Sequence, residues 1–376
     1  MPVSDTVLLL SLLLLVRVGH ALLISGSVRS KNAAGAIVRL LLDLSVACLA
    51  LWAIGAAFVP VPAGDETRYI TWSHFLGIGE SSRVAFRVLP YILIATAAVQ
   101  GATAERTRVL PVLIVTGLIA IVLPILEQIS FRTRMPDSGI GLACLLGGSA
   151  ALVAANRVGA RKGKFNRDQS VNFVPGHNIA LQLVGLLVLM VAFVGISPSA
   201  GTLLCASAAA LAGAAFGSIK FGKIDTGLTI AATLGGLCAG GVGLNPTWIA
   251  VLVGITVGTI VPFAVMTLEV RFRIDDVTAA IPTHLVGGLV GLAVASLVAF
   301  VREPSWWIFA WAALCIATIV IGGAIAFCVF FVLNSSKRVR VTEDAEFDGT
   351  DLAELDVNAY PDFQQTMIKS YHLREM

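Results

Sequence analysis

The sequence predicts an all-α membrane protein with about eleven transmembrane helices. Of its 376 residues, 57% are hydrophobic and only 13% are charged, whereas about a quarter of the residues in a soluble domain are charged. The mean hydropathy is +0.89. The 36 glycines favour the same fold class, because small residues let helices approach closely in lipid, where packing holds them together.

Eleven stretches are long and apolar enough to span a bilayer, which takes about 20 mostly apolar residues. They are 5–26, 36–60, 86–104, 109–127, 138–156, 178–197, 202–219, 225–243, 247–269, 278–300 and 306–333. The first contains the apolar run Val7–Leu15, with no basic segment before it and no small-residue cleavage site after it. We therefore expect a first membrane helix here rather than a cleaved signal peptide.

Basic residues are distributed unequally between the two sets of loops. Seventeen follow odd-numbered spans and six follow even-numbered ones. Because cytoplasmic loops carry the excess of Lys and Arg, the pattern predicts an outside N-terminus and a cytoplasmic C-terminus. The smaller set is Arg68, Arg83, Arg87, Arg132, Arg134 and Arg302.

The order of five spans, five spans and a final span indicates two inverted five-helix repeats plus a last helix, because an odd number of spans reverses the second copy. Such repeats commonly place a site near the midplane, at their interface. Gly147-Gly148 in the fifth span and Gly287-Gly288 in the tenth fall at corresponding places.

We expect two domains, a membrane domain at 1–334 and a cytoplasmic C-terminal tail at 335–376. The tail is acidic and too short for a catalytic domain. A polar outer loop is predicted at 61–85, carrying Asp65, Glu66, Trp72, His74 and Glu80. His74 and, in the tail, His372 are expected to be exposed.

Several function classes are not expected. The six cysteines lie in apolar stretches without a CxxC pair, so neither a metal site nor a disulfide framework is predicted, and no cofactor is implied. A net charge of +3 gives no reason to expect a nucleic-acid partner. No Ser-His-Asp constellation or phosphate-binding loop stands at a plausible spacing, so we expect no enzyme.

Three intramembrane charges stand out. Arg17 and Asp43 lie in adjacent spans, and we expect a structural ion pair rather than a transport relay, because buried charges require partners. Glu127 lies near the outer end of the fourth span, and His20 is placed to join either group.

The strongest motif lies within 222–291 and ends in Ile274-Asp275-Asp276, His284 and Gly287-Gly288. Shorter motifs are 26–32 (GSVRSKN), 101–106 (GATAER), 175–178 (PGHN) and 358–360 (NAY). Together they resemble the ammonium transporter (Amt/Rh) family, collinearly across nearly the whole chain.

This resemblance implies a homotrimer in the cell (inner) membrane, with one pore through each subunit. The implied substrate is ammonium, ammonia or a small amine. An outer aromatic vestibule captures it by cation–π contacts, two phenylalanines gate the lumen, and two facing histidines relay a proton. A P-II-type regulator at the cytoplasmic face is a possible partner by the same resemblance.

The pore positions depart from the family pattern. His284 matches the second pore histidine. At the position of the first pore histidine, an alignment anchored on Asp137 places Leu145, and an alignment anchored on residues 148–153 places Cys144. Neither side chain relays a proton as imidazole does, so a His–His relay is not expected.

The vestibule departs further. Arg87 stands at the outer aromatic position and Tyr91 at the inner gate, four residues apart on one helix face. Arg87 repels ammonium there, unless it faces the headgroups in a register shifted by one turn. Asp137 matches a structural aspartate, and Glu127 is placed to pair with Arg87 or to join an altered ligand site. At the other positions of the family pattern, this chain has Ile196 at the second gate, Ser130 at the vestibule tryptophan, and Ser199 or Ala200 at the residue that supplies the hydroxyl ligand.

Two functions follow. The first is a divergent ammonium, ammonia or small-amine channel-type transporter with the single pore histidine His284. The alternative is a transport-impaired receptor or sensor, in which a different small ligand in the outer vestibule acts on the tail. Arg87, Tyr91 and Ser130 suit a ligand with an anionic or hydrogen-bonding group.

Overall fold

The computed structural model describes residues 3–59, 70–77, 86–168, 170–335 and 338–361. Within these ranges the chain is helical, and β structure is limited to isolated bridges. The eleven long helices are α1 (Val3–Ser27), α2 (Ala33–Ala53), α3 (Leu89–Ala102), α4 (Val109–Arg132), α5 (Ile140–Val158), α6 (Ile179–Ile196), α7 (Ala200–Phe221), α8 (Thr226–Gly240), α9 (Thr247–Val270), α10 (Gly287–Arg302) and α11 (Trp307–Asn334).

These helices confirm the predicted fold class and follow the predicted spans in order. Eight of the described helices are long and apolar enough to cross a membrane, and shorter apolar helices cover Leu14–Ser27, Phe86–Ala102 and Thr226–Gly240. A five-residue π-turn, Pro282–Val286, leads into α10. Two short helices follow in the tail, α12 (Glu343–Asp348) and α13 (Thr350–Leu355).

Local sequence signals set several helix ends. Asn178 caps α6 by accepting from the Leu181 N–H at 2.9 Å, and Asp225 caps α8 by accepting from Leu228 at 2.9 Å. Such caps satisfy N–H groups that lack partners inside the helix. The helix α7 ends at Gly222, whose φ of 73° is the left-handed conformation that glycine adopts without strain.

The packing of the first five helices recurs in the next five. Helix α2 packs on α4 as α7 packs on α9, and α3 packs on α5 as α8 packs on α10. The first helices of the two halves, α1 and α6, pack against each other, as do the fifth helices, α5 and α10. This pattern agrees with the predicted inverted repeats.

Glycines set the crossing of α5 and α10. A Cβ on Gly148 would lie 2.6 Å from the Leu285 nitrogen, and a Cβ on Gly288 would lie 2.7 Å from the Cys144 Cβ. Each helix therefore approaches the other at its own glycine, as small residues allow in membrane proteins. The two glycine pairs found in the sequence occupy equivalent positions.

An aspartate begins the fifth helix of each half. Asp137 accepts from the N–H groups of Gly141 and Leu142 at 3.0 and 2.9 Å. Asp276 accepts from Ala280 and Ile281 at 3.0 and 2.7 Å. Both carboxylates reach residues i+4 and i+5. This shared geometry is a residue-level trace of the repeat that the sequence comparison did not reveal.

Arg17 and Asp43 form the expected ion pair, with a distance of 2.6 Å and side chains 6% and 0% exposed. Asp43 also accepts from Thr96 at 2.8 Å, from Gln100 at 3.3 Å and from Thr116. The carboxylate thus joins α1, α2, α3 and α4 through one set of polar contacts. Its many donors offset the cost of burying charge.

The tail packs on one end of the bundle, which we call the tail face. Asp351 accepts from the N–H groups of Ala34 and Gly35 at 2.9 and 2.7 Å, and so caps α2. Glu354 pairs with Arg39 at 2.9 Å, and the Tyr360 hydroxyl lies 2.7 Å from the His177 Nε2. The described part of the tail is therefore tied to the membrane helices. The opposite end of the bundle is called the distal face.

A buried ion cluster lies beneath the tail. Arg161 donates to both oxygens of Asp275 at 2.9 Å and contacts Glu105 at 3.4 Å, while Arg29 pairs with Glu105 at 2.6 Å. Burial by itself would raise the pKa of Asp275, but Arg106 and Arg161 hold that pKa well below its usual range. The aspartates of the sequence signature therefore have structural partners.

One expectation is wrong. His74 was expected to be exposed, but its relative exposure is 7%, because the short helical segment Trp72–Gly77 folds back on the end of α2 through a Thr71 N–H···O=C Ala57 bond of 2.8 Å. The other charges predicted for this loop, Asp65, Glu66 and Glu80, lie outside the described residues, as does His372 in the tail.

The Arg17–Asp43 pair yields a stability prediction. Asp43→Leu leaves Arg17 buried without its counter-charge, and we expect a loss of about 3–5 kcal/mol in unfolding free energy. The double variant Arg17→Leu, Asp43→Leu removes both charges and should recover much of that loss. Thermal unfolding of the purified protein checks this, and equal losses in the single and double variants would contradict it.

Candidate functional site

A cavity of about 480 Å³ opens at the distal face, between the ends of α3, α4 and α5. Five of the residues predicted from the sequence line it together: Arg87, Tyr91, Glu127, Ser130 and Asp137. We call this cavity the vestibule. The other lining residues, which the sequence reasoning did not select, are Val59, Val88, Phe131, Arg134, Met135 and Ser138.

The entrance to α3 positions two of these side chains. Arg87 lies in the short 3₁₀ turn Phe86–Val88, and Tyr91 follows one turn later on the same helix face. A Cβ on Gly139 would lie 2.6 Å from the Tyr91 ring, and Gly139 has a φ of 99°. Only glycine meets both demands. The Tyr91 ring therefore packs directly on the turn that carries Asp137.

Asp137 has a structural role in this wall. Both of its oxygens accept backbone N–H groups at the start of α5, which places the carboxylate at the positive end of the helix dipole. Burial raises the pKa of the Asp137 carboxyl, and the N–H donors of Leu142 and Gly141 oppose that rise. Its lone pairs are largely committed to the cap.

Glu127 differs from Asp137 because its Oε1 atom is buried and has no hydrogen-bond partner. It is the only buried carboxylate oxygen without one among the side chains that the structure describes. A buried acceptor left unpaired is costly. Since this oxygen belongs to a residue that lines the vestibule, it marks a place for a donor or a cation.

His284, the predicted pore histidine, lies in the π-turn before α10 and is 1% exposed. Such turns are frequent at functional sites. Its Nδ1 lies 2.9 Å from the Ala280 carbonyl. His20 of α1 approaches it, with ring centroids 6.5 Å apart. The sequence did not place a second imidazole beside His284, and the structure brings one there from α1 rather than from α5.

The other predicted pore residues lie away from the vestibule lining. Cys144 and Leu145 are fully buried in α5, where Cys144 lies close to Gly288. Ile196 is half-buried at the last residue of α6, and Phe193, one turn earlier, is fully buried. Ser199 caps α7 by accepting from the Gly201 N–H at 3.1 Å.

A bundle of eleven long apolar helices, with a polar vestibule at one face and histidines in its interior, defines a polytopic membrane protein of the channel or transporter class. The chain belongs to the Ammonium Transporter Family, whose model matches residues 6–360. It is 27% identical to ammonium transporter Amt2 of Archaeoglobus fulgidus over 412 residues, covering 94% of this chain and 86% of the relative.

One further relative and one solved structure are also similar to this chain. Ammonium transporter Amt1 of Methanocaldococcus jannaschii is 29% identical over 387 residues, with 93% of this chain and 94% of the relative covered. The fold also resembles a solved structure described as a sensor Amt protein, with a TM-score of 0.83, 23% identity, and coverage of 93% of this chain and 97% of that one.

The helix cap yields a second prediction. Asp137→Ala should lower the unfolding free energy by about 0.5–2 kcal/mol, the usual cost of removing such a cap. Asp276→Ala, which removes the equivalent cap at the tail face, is the matched comparison. Differential scanning fluorimetry measures both. If Asp137→Ala left stability unchanged but abolished ligand binding, Asp137 would be a ligand contact rather than a structural residue.

Proposed function

We propose that this protein is a divergent channel-type transporter that receives ammonium in the vestibule and passes ammonia or a small amine along the lumen past His284. The buried, unpaired Glu127 Oε1 in a vestibule of about 480 Å³ carries this proposal. A carboxylate oxygen accepts N–H donors strongly, and bonds to charged groups are about twice as strong as neutral ones.

The charges of the vestibule favour a cation that is held weakly. Asp137 uses its oxygens to cap α5, which leaves Glu127 as the acceptor for the substrate, with the Tyr91 ring nearby for a cation–π contact. Arg87 and Arg134 share the same lining and reduce the attraction for a cation. We therefore expect a lower ammonium affinity than an all-aromatic vestibule would give.

The proposal includes an orientation and an assembly. The protein lies in the inner membrane of the cell. Its distal face lies outside, and its tail face lies in the cytoplasm. The excess of Lys and Arg at the tail face favours this orientation. The subunits form a homotrimer, and a P-II-type regulator meets the tail face. The expected division into a membrane domain at 1–334 and a tail at 335–376 belongs to the same proposal.

A receptor or sensor is the second candidate, and one observation favours it. The tail caps α2 through Asp351, so a change in helix packing caused by a ligand has a direct route to the tail. The sensor Amt protein with the similar fold gives this candidate further support. In this case Arg87 and Arg134 bind a ligand with an anionic or hydrogen-bonding group.

Solid-supported-membrane currents test the transport proposal. Ammonium and methylammonium pulses on reconstituted protein should give saturable currents, and His284→Ala should abolish them. Glu127→Gln should raise the half-saturating ammonium concentration about tenfold or more, since bonds to charged groups contribute about 1.5–3 kcal/mol and 1.4 kcal/mol is a factor of ten.

Glu303→Gln is the control for the Glu127 variant. Glu303 is exposed and follows α10 at the distal face, so the same chemical change is made outside the vestibule and should leave the current unaltered. Wild-type protein that is folded but gives no current would refute transport. Ligand binding without current would then favour the receptor.

A further inference from the structure

Two imidazoles meet inside the bundle although they come from different halves of the chain. His20 of α1 and His284 of the π-turn before α10 have ring centroids 6.5 Å apart and ring planes tilted by 32°. They are 2% and 1% exposed. Polar atoms in an apolar interior require hydrogen bonds, so the partners of the ring nitrogens decide what this buried pair can do.

The backbone contacts fix the tautomer of both rings. The His20 Nδ1 lies 2.8 Å from the Val16 carbonyl, and the His284 Nδ1 lies 2.9 Å from the Ala280 carbonyl. A carbonyl only accepts, so each Nδ1 carries the proton in the neutral ring. Each Nε2 therefore presents a lone pair.

Both lone pairs are unsatisfied. The Nε2 atoms of His20 and His284 are buried and have no hydrogen-bond partner. Two acceptors do not bond to each other, so each Nε2 requires an N–H or O–H donor from a further molecule, and one molecule with two such donors is enough for both rings.

The surrounding charges favour a neutral donor. Arg17 and His284 are the charged or titratable groups that act on His20, and Arg17 disfavours a second cation beside it. The Asp43 carboxylate of α2 is already bound by Arg17, Thr96, Gln100 and Thr116. No free anion among the described groups around His20 offsets the charge of an ammonium ion.

We propose that His20 supplies the second pore imidazole, and that His20 and His284 form one site for neutral ammonia between α1 and α10. Ammonia has three N–H donors and bridges the two Nε2 lone pairs. This inference rests on the proposed transport function. It adds His20 from α1, a helix that carries no pore histidine in the family pattern. The position at which that pattern has the first pore histidine is occupied here by Cys144 or Leu145.

The first test uses ¹⁵N-histidine labelling, which does not depend on transport. In reconstituted wild-type protein, raising ammonium chloride against a sodium chloride control should shift two Nε2 signals together. These signals are assigned by their loss in His20→Ala and His284→Ala. In His20→Ala the remaining His284 signal should no longer respond. A His284 response that persists there, or Nε2 signals that never respond, would overturn the proposal.

The second test is flux in the same proteoliposomes. His20→Ala should reduce the ammonium current about tenfold or more, comparable to the loss of one hydrogen bond to the substrate. His20→Gln keeps an acceptor and should retain more current than His20→Ala. His177→Gln, at the tail face and outside this pair, is the control and should conduct normally.

The two proposals fail in different ways. If wild-type protein gives no current but both Nε2 signals respond to ammonium, the site stands and transport is refuted. If His284→Ala abolishes the current while His20→Ala conducts as wild type does, transport stands and the role of His20 is refuted. Where His20→Ala does not fold, the comparison of wild type with His20→Gln decides.

Discussion

A bilayer offers no water to polar groups, so each polar side chain within it must find its partner inside the protein. The Asp43 carboxylate shows how far this constraint shapes the bundle. It joins Arg17, Thr96, Gln100 and Thr116, and these residues come from α1, α3 and α4. One buried anion therefore fixes the first four helices relative to one another. That arrangement in turn sets where α1 places His20 beside His284.

The same constraint separates structural from functional polar groups. Asp137, Asp275 and Asp276 have their oxygens bound by backbone N–H groups or by arginines. Such groups hold helices in place. Glu127 Oε1 and the Nε2 atoms of His20 and His284 are buried without partners. A protein does not gain stability from such atoms, and they are therefore the candidate contacts for a small donor molecule in the two proposals above.

The relation between vestibule and tail also follows from the packing. The vestibule lies at the ends of α3, α4 and α5, and the tail caps α2 at the opposite face. Helix α2 packs on α4, so the tail and the vestibule are connected through two rigid helices.

Much of the fold was accessible from sequence, because hydropathy reports directly on spans. The eleven helices and the Arg17–Asp43 pair agree with the structure. Arg87, Tyr91, Glu127, Ser130 and Asp137 line one cavity. The burial of His74 was missed, since its turn folds back through one backbone bond. The matched caps of Asp137 and Asp276 were missed because they share geometry but little surrounding sequence.

The sequence by itself determined which residues lie in the membrane, since that depends on the composition of each segment alone. It also determined the family, through motifs such as Asp275-Asp276 and His284. Only the tertiary structure decided which polar atoms have partners. From the sequence, His20 is placed to join either the Arg17–Asp43 pair or the group around Glu127. Its approach to His284 depends on the packing of α1 against α2, α3 and α6, and no local pattern records a contact between residues so far apart in the chain.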